Sequence, residues 1–240
     1  MAATEPPPLR ILAAGMVGSG STFLYNVARE ILQADPRRPT LATYADEWSA
    51  AYESRHHLLL KSHWGLRALA PLAESGKLRP ILTVRHPGDC ICSDMERFGF
   101  PFDFSLKRVE LSLRFAGLLR PLPDTLLFRY EDRFTSGSAT AALLAAEFGI
   151  RLDSERLSAI SRKYDAAGTR AYADRLDSLP SLFRSPDNAN DVWCPTTQIH
   201  RGHIGKLVSG RWRNLPPAQQ REIADFCGEE AAPFGYELEF

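Results

Sequence analysis

Two hydrophobic patterns alternate along this chain: short apolar runs, and longer segments whose apolar residues recur at helical spacing. The short runs are residues 9–14, 57–62, 80–85 and 125–130. The helical segments begin at Ser21 and continue at residues 88–98, 105–119 and 138–148. Short unalternating strands separated by helices are typical of a parallel sheet covered on both faces. The pattern therefore predicts an α/β fold with a parallel sheet flanked by helices.

The composition fits one soluble globular domain. We expect a single domain over residues 1–240, with residues 1–8 as a disordered lead-in. A hydrophobic fraction of 44% excludes a disordered protein. Because 29 Lys and Arg balance 29 Asp and Glu, the chain lacks the basic surplus of nucleic-acid and anionic-membrane binders. We therefore expect neither nucleic acid nor a membrane as a partner, and any anion site must be confined to a local cluster.

Three further features predict a cytoplasmic protein. No run of about eighteen apolar residues would span a bilayer. The first residues show neither the basic start nor the apolar core of a signal peptide. The four cysteines are too few and too irregular for a disulfide framework, so we expect them to be reduced.

The first strand ends in a glycine-rich turn. Residues 15–22 read Gly-Met-Val-Gly-Ser-Gly-Ser-Thr, with Gly15 and Gly20 five positions apart. Such a turn directs backbone N–H groups and a helix N-terminus at a phosphate. The lysine that reaches the β- and γ-phosphates of a nucleoside triphosphate is absent, because its position holds Ser21. The turn predicts a phosphate site, and a tight turn without a ligand is the alternative.

Polar residues also follow the second and third strands. Lys61 and His63 lie two positions apart, so an extended chain directs both to the same side. A cation beside a titratable base suits the activation of a hydroxyl group. After the third strand, Arg85 and Ser93 are placed to bracket one anion. The alternative for Arg85 is a surface ion pair with Asp89.

Taken in order, these segments resemble the sulfotransferases that use 3′-phosphoadenosine 5′-phosphosulfate (PAPS). The glycine turn at residues 18–23 falls on the family's first loop, and residues 61–63 fall on its Lys-Thr-His segment. Its Arg-x-Pro-x-Asp-x-x-x-Ser signature is matched at every fixed position by Arg85, Pro87, Asp89 and Ser93. Residues 130–132 match its Tyr-Glu-Asp, and the C-terminal Lys206, Gly210 and Trp212 match its last signature in part. The resemblance runs from about residue 9 to residue 213.

The resemblance implies a three-layer fold like that of the P-loop nucleotide hydrolases, and sulfuryl transfer from PAPS to a hydroxyl or amine of a small molecule. The transfer is an in-line displacement that leaves 3′,5′-ADP (PAP) and requires no metal. His63 would be the base and Lys61 would stabilise charge. The implied cofactor-binding residues are Gly18, Ser19, Gly20, Ser21, Thr22, Phe23, Arg85, Ser93, Tyr130 and Lys206, with Phe23 stacked on adenine.

Departures from the family leave alternatives open. Gly18 stands where the family has Lys or Arg, and Gly205 and Leu207 replace the Arg and Gly of the last signature. A PAPS- or PAP-binding regulatory protein with impaired catalysis is one alternative, and a P-loop small-molecule kinase is another. A metal site that uses His200, His203 and the pair Cys90 and Cys92 is a third.

The identity of the acceptor has no recognisable sequence code. We expect its specificity to reside in the loops at residues 35–56, 98–106 and 165–198. Aromatic side chains and acids in or near these loops are candidate contacts: Trp48, Trp64, Trp193, Asp46 and Glu47.

Overall fold

Five parallel strands form the central sheet of the protein. The computed structural model describes residues 6–184, 192–205 and 208–238. The strands are β1 (Arg10–Gly15), β2 (Thr40–Tyr44), β3 (His57–Ser62), β4 (Arg79–Val84) and β5 (Leu126–Arg129). Their order is β2-β3-β1-β4-β5, so β1 lies in the centre between β3 and β4. The predicted parallel α/β architecture is confirmed.

Helices cover both faces of the sheet. They are α1 (Ser21–Gln33), α2 (Ala70–Glu74), α3 (Pro87–Phe98), α4 (Phe102–Leu119), α5 (Ala139–Glu147), α6 (Ser154–Tyr164), α7 (Ala166–Ala173) and α8 (Pro217–Ala231). Alternate residues of β1 face opposite layers: Ile11 and Ala13 pack with α1, α5 and α6, whereas Leu12 and Ala14 pack with α2 and α4. Within the described residues, every helix falls short of the length or the apolar character needed to cross a membrane.

Some short elements were not predicted from the sequence. Strand β2, at the edge of the sheet, lies within residues 35–56, which the pattern assigned to an acceptor loop. All of its residues are only partly buried, so it lacks the continuous apolar run of the inner strands. A two-stranded antiparallel ribbon of β6 (Phe183–Arg184) and β7 (Val192–Trp193) lies outside the main sheet.

The end of β1 approaches β4 closely at Gly15, which is paired in register with Thr83. A Cβ atom on Gly15 would lie 2.0 Å from Thr83 Oγ1 and 2.9 Å from the Thr83 carbonyl oxygen. The Thr83 hydroxyl is itself hydrogen-bonded to Ser19 Oγ at 2.7 Å. Glycine at position 15 therefore allows the end of β1, and the glycine-rich turn that follows it, to pack directly against β4.

We expect Gly15→Ala to lower the free energy of unfolding by about 1–3 kcal/mol, because the added methyl group must displace strand backbone in a close-packed core. Urea denaturation measures this change. Gly117→Ala is the matched control: its Cβ would meet nothing within 4 Å on helix α4, so that variant should be as stable as the wild type or more so. Equal stability of the two variants would contradict the steric argument.

Candidate functional site

A cavity of about 520 Å³ opens at the carboxyl ends of the parallel strands. Residues that follow β1, β3, β4 and β5 all line it, including Thr22, His63, Arg85 and Tyr130. Parallel α/β sheets bind ligands at this edge, and the volume is that of a small-molecule site. Of the cofactor and catalytic residues inferred from the sequence, the cavity brings together Gly18, Gly20, Ser21, Thr22, Lys61, His63, Arg85, Ser93 and Tyr130.

The glycine-rich turn leaves backbone donors available at the N-terminus of α1. Gly18 and Gly20 adopt left-handed conformations, with φ of 77° and 86°. No side chain caps the helix, and the N–H groups of Ser21 and Thr22 have no acceptor among the described residues. Donors of this kind and the partial positive charge of the helix end favour an anion.

Two side chains of the same turn point away from the cavity. Ser19 is fully buried, and its hydroxyl donates to the Met16 carbonyl at 2.6 Å. Phe23 lies in the hydrophobic core, with its ring edge-on to Phe134 at 6.0 Å between centroids, and does not line the cavity. The adenine-stacking role implied for Phe23 finds no counterpart in this placement, because the third residue of α1 faces the sheet. Tyr130, by contrast, is an aromatic residue that lines the cavity beside Arg85.

Arg85 is a buried cation beside the turn. Only 4% of the residue is exposed. Its Nη atoms donate to the carbonyl oxygens of Gly18 at 3.3 Å and Val208 at 3.4 Å, both long contacts. Its Nε is buried and has no hydrogen-bond partner among the described residues. The guanidinium also lies over the Tyr130 ring, 4.3 Å from the centroid. A buried arginine with weak or missing partners is suited to an anionic ligand.

Asp89 does not form the surface pair with Arg85 that was the alternative from the sequence. It is 2% exposed, and its carboxylate accepts the backbone N–H groups of Gly210 at 2.8 Å and Arg211 at 2.9 Å. These bonds hold the C-terminal loop against the start of α3, next to Arg85. Lys206, the basic residue predicted from that loop, lies outside the described residues.

Ser93 and Gly18 face each other across the turn. Ser93 lines the cavity from α3. A Cβ on Gly18 would lie 3.4 Å from the Ser93 Cβ and 3.5 Å from the Cys90 backbone. With φ at 77°, position 18 favours glycine over any side chain. A lysine or arginine at position 18, as the resembled family has, would therefore be strained in the backbone conformation that Gly18 adopts here.

Lys61 lies at the end of β3 and contacts the turn. Its Nζ donates to Thr22 Oγ1 at 3.0 Å. Burial, aided by the nearby charge of Arg97, lowers the pKa of Lys61 to about 7. An anion bound at the turn would favour the charged form of this amine. Lys61 is thus placed to carry a positive charge when the cavity holds an anion.

His63 presents an unprotonated ring nitrogen to the cavity. Its Nδ1 lies 2.6 Å from the Gly15 carbonyl oxygen. A carbonyl only accepts, so Nδ1 carries the proton and Nε2 keeps its lone pair. Burial and the adjacent Lys61 hold the pKa of His63 well below its usual value. His63 is therefore neutral at physiological pH and able to accept a proton.

Several lining residues were not found from the sequence. Arg97 follows Ser93 by four positions on α3, so the i, i+4 spacing was a usable signal. Arg108 on α4 reaches the cavity and donates to Asp94 at 2.9 Å. Among the aromatic and acidic acceptor candidates, Trp64, Trp193 and Asp46 line the cavity, whereas Trp48 and Glu47 do not.

A buried connection joins the turn to the far wall of the cavity. Asn26 on α1 donates to the carbonyl oxygens of both Thr22 and Thr197, each at 2.8 Å. One turn later, Arg29 donates to the Thr196 carbonyl at 2.5 Å. The segment that carries Pro195 and Gln198 into the cavity is therefore hydrogen-bonded to α1, the helix that begins at the glycine-rich turn.

Solved structures with a similar fold include a sulfotransferase and a dehydratase. Mouse sulfotransferase SULT7A1, complexed with PAP, is 15% identical; the match covers 95% of this chain and 86% of that one, with a TM-score of 0.61. Retinol dehydratase in a complex with retinol and PAP is 12% identical, covering 95% and 82%, with a TM-score of 0.60. The same enzyme with androsterone and inactive cofactor PAP gives 12% identity, equal coverage and a TM-score of 0.59.

The sequence matches no family model and no curated protein. The structural likeness shows the fold: a parallel five-stranded sheet flanked by helices, as in the sulfotransferases. The fold expected from the resemblance is confirmed.

Proposed function

We propose that this protein transfers a sulfuryl group from PAPS to a small-molecule acceptor. The observation that carries the proposal is Arg85, a buried guanidinium whose Nε has no partner among the described residues. It faces the same cavity as an uncapped glycine-rich helix start and a neutral histidine. A nucleotide with separate 3′- and 5′-phosphate groups requires two anion-binding sites, and the transfer of its sulfuryl group requires a base nearby. The PAP in three similar structures supports the choice of nucleotide.

The cavity residues fit the nucleotide in two parts. Arg85 and Ser93 would hold the 3′-phosphate, since both face the cavity beside the turn. The N–H groups of Ser21 and Thr22 would hold the 5′-phosphosulfate at the helix N-terminus. Tyr130, which lies under the Arg85 guanidinium, would contact the adenine. A phosphosulfate carries less charge than a triphosphate, so a turn without the usual lysine and without a metal ion is adequate.

The chemistry falls to His63 and Lys61. PAPS supplies a sulfuryl group whose bond to the 5′-phosphate oxygen breaks, with its electron pair, as the acceptor's bond to sulfur forms. His63 takes the acceptor's proton on Nε2, because Nδ1 is committed to the Gly15 carbonyl. Lys61, next to Thr22, stabilises the negative charge on the departing phosphate. The remaining rate enhancement comes from the glycine-rich turn, which would hold the phosphosulfate in line with the acceptor.

The acceptor is a small molecule in this proposal. The cavity of about 520 Å³ is lined by residues from several elements, and two similar structures hold retinol or androsterone. Gly18 favours a second candidate function, a PAP-binding protein with weak or no turnover. The reason is that the turn has no cation of its own to support the leaving group. Turnover separates the two candidates, whereas nucleotide binding is common to both.

We expect 3′,5′-ADP to bind in the presence of EDTA and to raise the melting temperature, since it is selective for the native state. ATP with Mg²⁺ should bind far more weakly, because it lacks the 3′-phosphate and the turn lacks the lysine for its terminal phosphates. Calorimetry and thermal unfolding measure both. Equal affinity for the two nucleotides would contradict the proposal and favour the kinase alternative.

A further inference from the structure

Arg108 extends from α4 to the wall of the cavity and uses only one of its three guanidinium nitrogens in a hydrogen bond. Its Nε donates to Asp94 Oδ2 at 2.9 Å, and Asp94 is 2% exposed. Among the described residues, neither Nη atom has a hydrogen-bond partner. Because the donors of a guanidinium lie in one plane, the bond to Asp94 fixes the orientation of the group. The Nη donors are left for a ligand.

Three aromatic rings surround this guanidinium. The Arg108 Cζ lies 4.8 Å from the ring centroid of Trp64, 5.1 Å from that of Phe100 and 5.7 Å from that of Phe104. Rings at these distances attract the cation and replace part of its water, but they do not accept its in-plane N–H bonds. A cation with less water around it attracts an anion more strongly. Two parallel N–H groups match the two oxygens of a carboxylate.

Arg108 lies on the same side of the cavity as His63. The Trp64 ring is 5.5 Å from the His63 ring and also carries the Arg108 guanidinium. The charge of Arg108 contributes to the low pKa of His63, after burial and the charge of Lys61. A ligand that presents its reacting group to His63 and extends past Trp64 therefore meets Arg108 at its other end.

The neighbours of Arg108 differ from those of Arg85. Arg85 hydrogen-bonds to the glycine-rich turn through the Gly18 carbonyl, as suits a contact to the nucleotide. Among the described residues, Arg108 makes no hydrogen bond to that turn. The two arginines thus belong to different parts of the cavity, and the nucleotide contacts proposed above do not use Arg108.

The acidic residues of the cavity leave the Nη donors of Arg108 unused. Asp94 is bonded to Nε. Asp46 accepts the Ser62 hydroxyl at 2.6 Å and the backbone N–H of Trp64 at 3.2 Å. These are the two carboxylates that line the cavity among the described residues. A carboxylate bound to the Nη atoms would therefore come from the ligand.

We propose that Arg108 binds a carboxylate of the acceptor, and that the acceptors are small molecules with a carboxylate at the end remote from the group that reacts at His63. This inference rests on the proposed function and specifies its acceptor. Arg108 is a specificity-determining residue, whose orientation is set by the bond to Asp94.

The test uses protein saturated with 3′,5′-ADP and two matched pairs of ligands. One pair is 4-(hydroxymethyl)benzoate and its carboxamide, and the longer pair is 6-(hydroxymethyl)-2-naphthoate and its carboxamide. The members of a pair have nearly the same shape and differ in charge. In at least one pair we expect the carboxylate to bind at least about tenfold more tightly in ligand-observed NMR titrations, because a bidentate ionic contact replaces a neutral one.

The variants separate a direct contact from a general effect of charge. Arg108→Met alone would leave the buried Asp94 carboxylate without a partner, so the double variant Asp94→Asn/Arg108→Met is used. It removes one charge of each sign and should bind carboxylate and carboxamide equally. Arg108→Lys keeps the charge without the planar fork and should retain only part of the preference.

Lys107→Met is the matched control, since Lys107 is an exposed cation on the same helix and does not line the cavity. It should keep the full preference for the carboxylate. All of these variants should bind 3′,5′-ADP as the wild type does.

Each other outcome has a definite meaning. Equal binding of carboxylate and carboxamide by the wild type in both pairs, or a full preference in the double variant, overturns the inference. Weaker binding of 3′,5′-ADP by the folded double variant also overturns it, because Arg108 would then serve the nucleotide. Binding of no ligand of either pair by protein that does bind 3′,5′-ADP overturns the inference and leaves the proposed function standing. Failure of the wild type to bind 3′,5′-ADP is instead a failure of the proposed function, and the inference falls with it.

Discussion

Replacement of His63 by alanine is expected to lower turnover by about 10²–10⁴-fold, the usual loss when a general base is removed. The reason is that, in the proposed mechanism, Nε2 of His63 accepts the substrate proton while Nδ1 is held by the Gly15 carbonyl. The affinity for 3′,5′-ADP should stay nearly constant, because the proposal assigns the nucleotide to Arg85, Ser93 and the N-terminus of α1 rather than to His63. Initial rates with labelled PAPS and a panel of small molecules that carry hydroxyl or amine groups, together with calorimetry, measure the two effects separately.

The pH profile gives the same prediction a second readout. The pKa of His63 is held well below its usual value, so the base stays neutral as the pH falls past 6.5, and turnover should decline only at lower pH. His56→Ala is the matched control, because His56 is exposed and does not line the cavity. Full activity in His63→Ala would show that another group takes the proton.

Arg85→Ala should weaken 3′,5′-ADP by about 2–4 kcal/mol, which is roughly 30–700-fold in affinity. The variant loses a charge-assisted contact and leaves the 3′-phosphate unpaired in a buried place. Ser93→Ala should cost about 1 kcal/mol, the value of one neutral donor. The weaker binding of 5′-AMP, which has no 3′-phosphate, should be unchanged in both variants. Calorimetric titration with the two nucleotides measures the difference.

Arg151→Ala provides the control for the loss of an arginine, since that side chain is exposed and lies outside the cavity. It should bind both nucleotides as the wild type does. If Arg85→Ala weakened 3′,5′-ADP and 5′-AMP by the same factor, Arg85 would be supporting the turn through the Gly18 carbonyl rather than contacting the 3′-phosphate. Thermal unfolding of the variant separates either result from a general loss of stability.

The inner sheet was predictable because its strands are buried on both faces and therefore appear as continuous apolar runs. Strands β1, β3 and β4 lie where the sequence placed them. Strand β5, at the other edge of the sheet and only partly buried, was also predicted, because it carries the apolar residues 126–128. Strand β2 was missed, since at the edge its residues are only partly buried and Thr-Leu-Ala-Thr-Tyr carries no such run. An apolar run is detectable from the local sequence in an inner strand and in the edge strand β5, whereas β2 has no such run and is recognised only by its pairing with β3.

The site was predictable to the extent that its residues follow strand ends. Lys61, Arg85 and Tyr130 are brought together by parallel strand order alone. Arg108 and His203 enter through the packing of α4 and of the segment after β7, which no local spacing encodes. Phe23 was predicted to face the site because it falls on the aromatic position of the family's first loop. Its side chain, on the first turn of α1, packs into the core instead.

The bonds from Asn26 and Arg29 to the carbonyls of Thr197 and Thr196 have a thermodynamic consequence. They join α1, the helix that begins at the glycine-rich turn, to one wall of the cavity, so that neither can shift without the other. A ligand that orders one part lowers the entropy left for the other ligand to remove. Nucleotide and acceptor should then bind cooperatively, and the factor by which each tightens the other must be the same. The product nucleotide would consequently leave more slowly when an acceptor is in place.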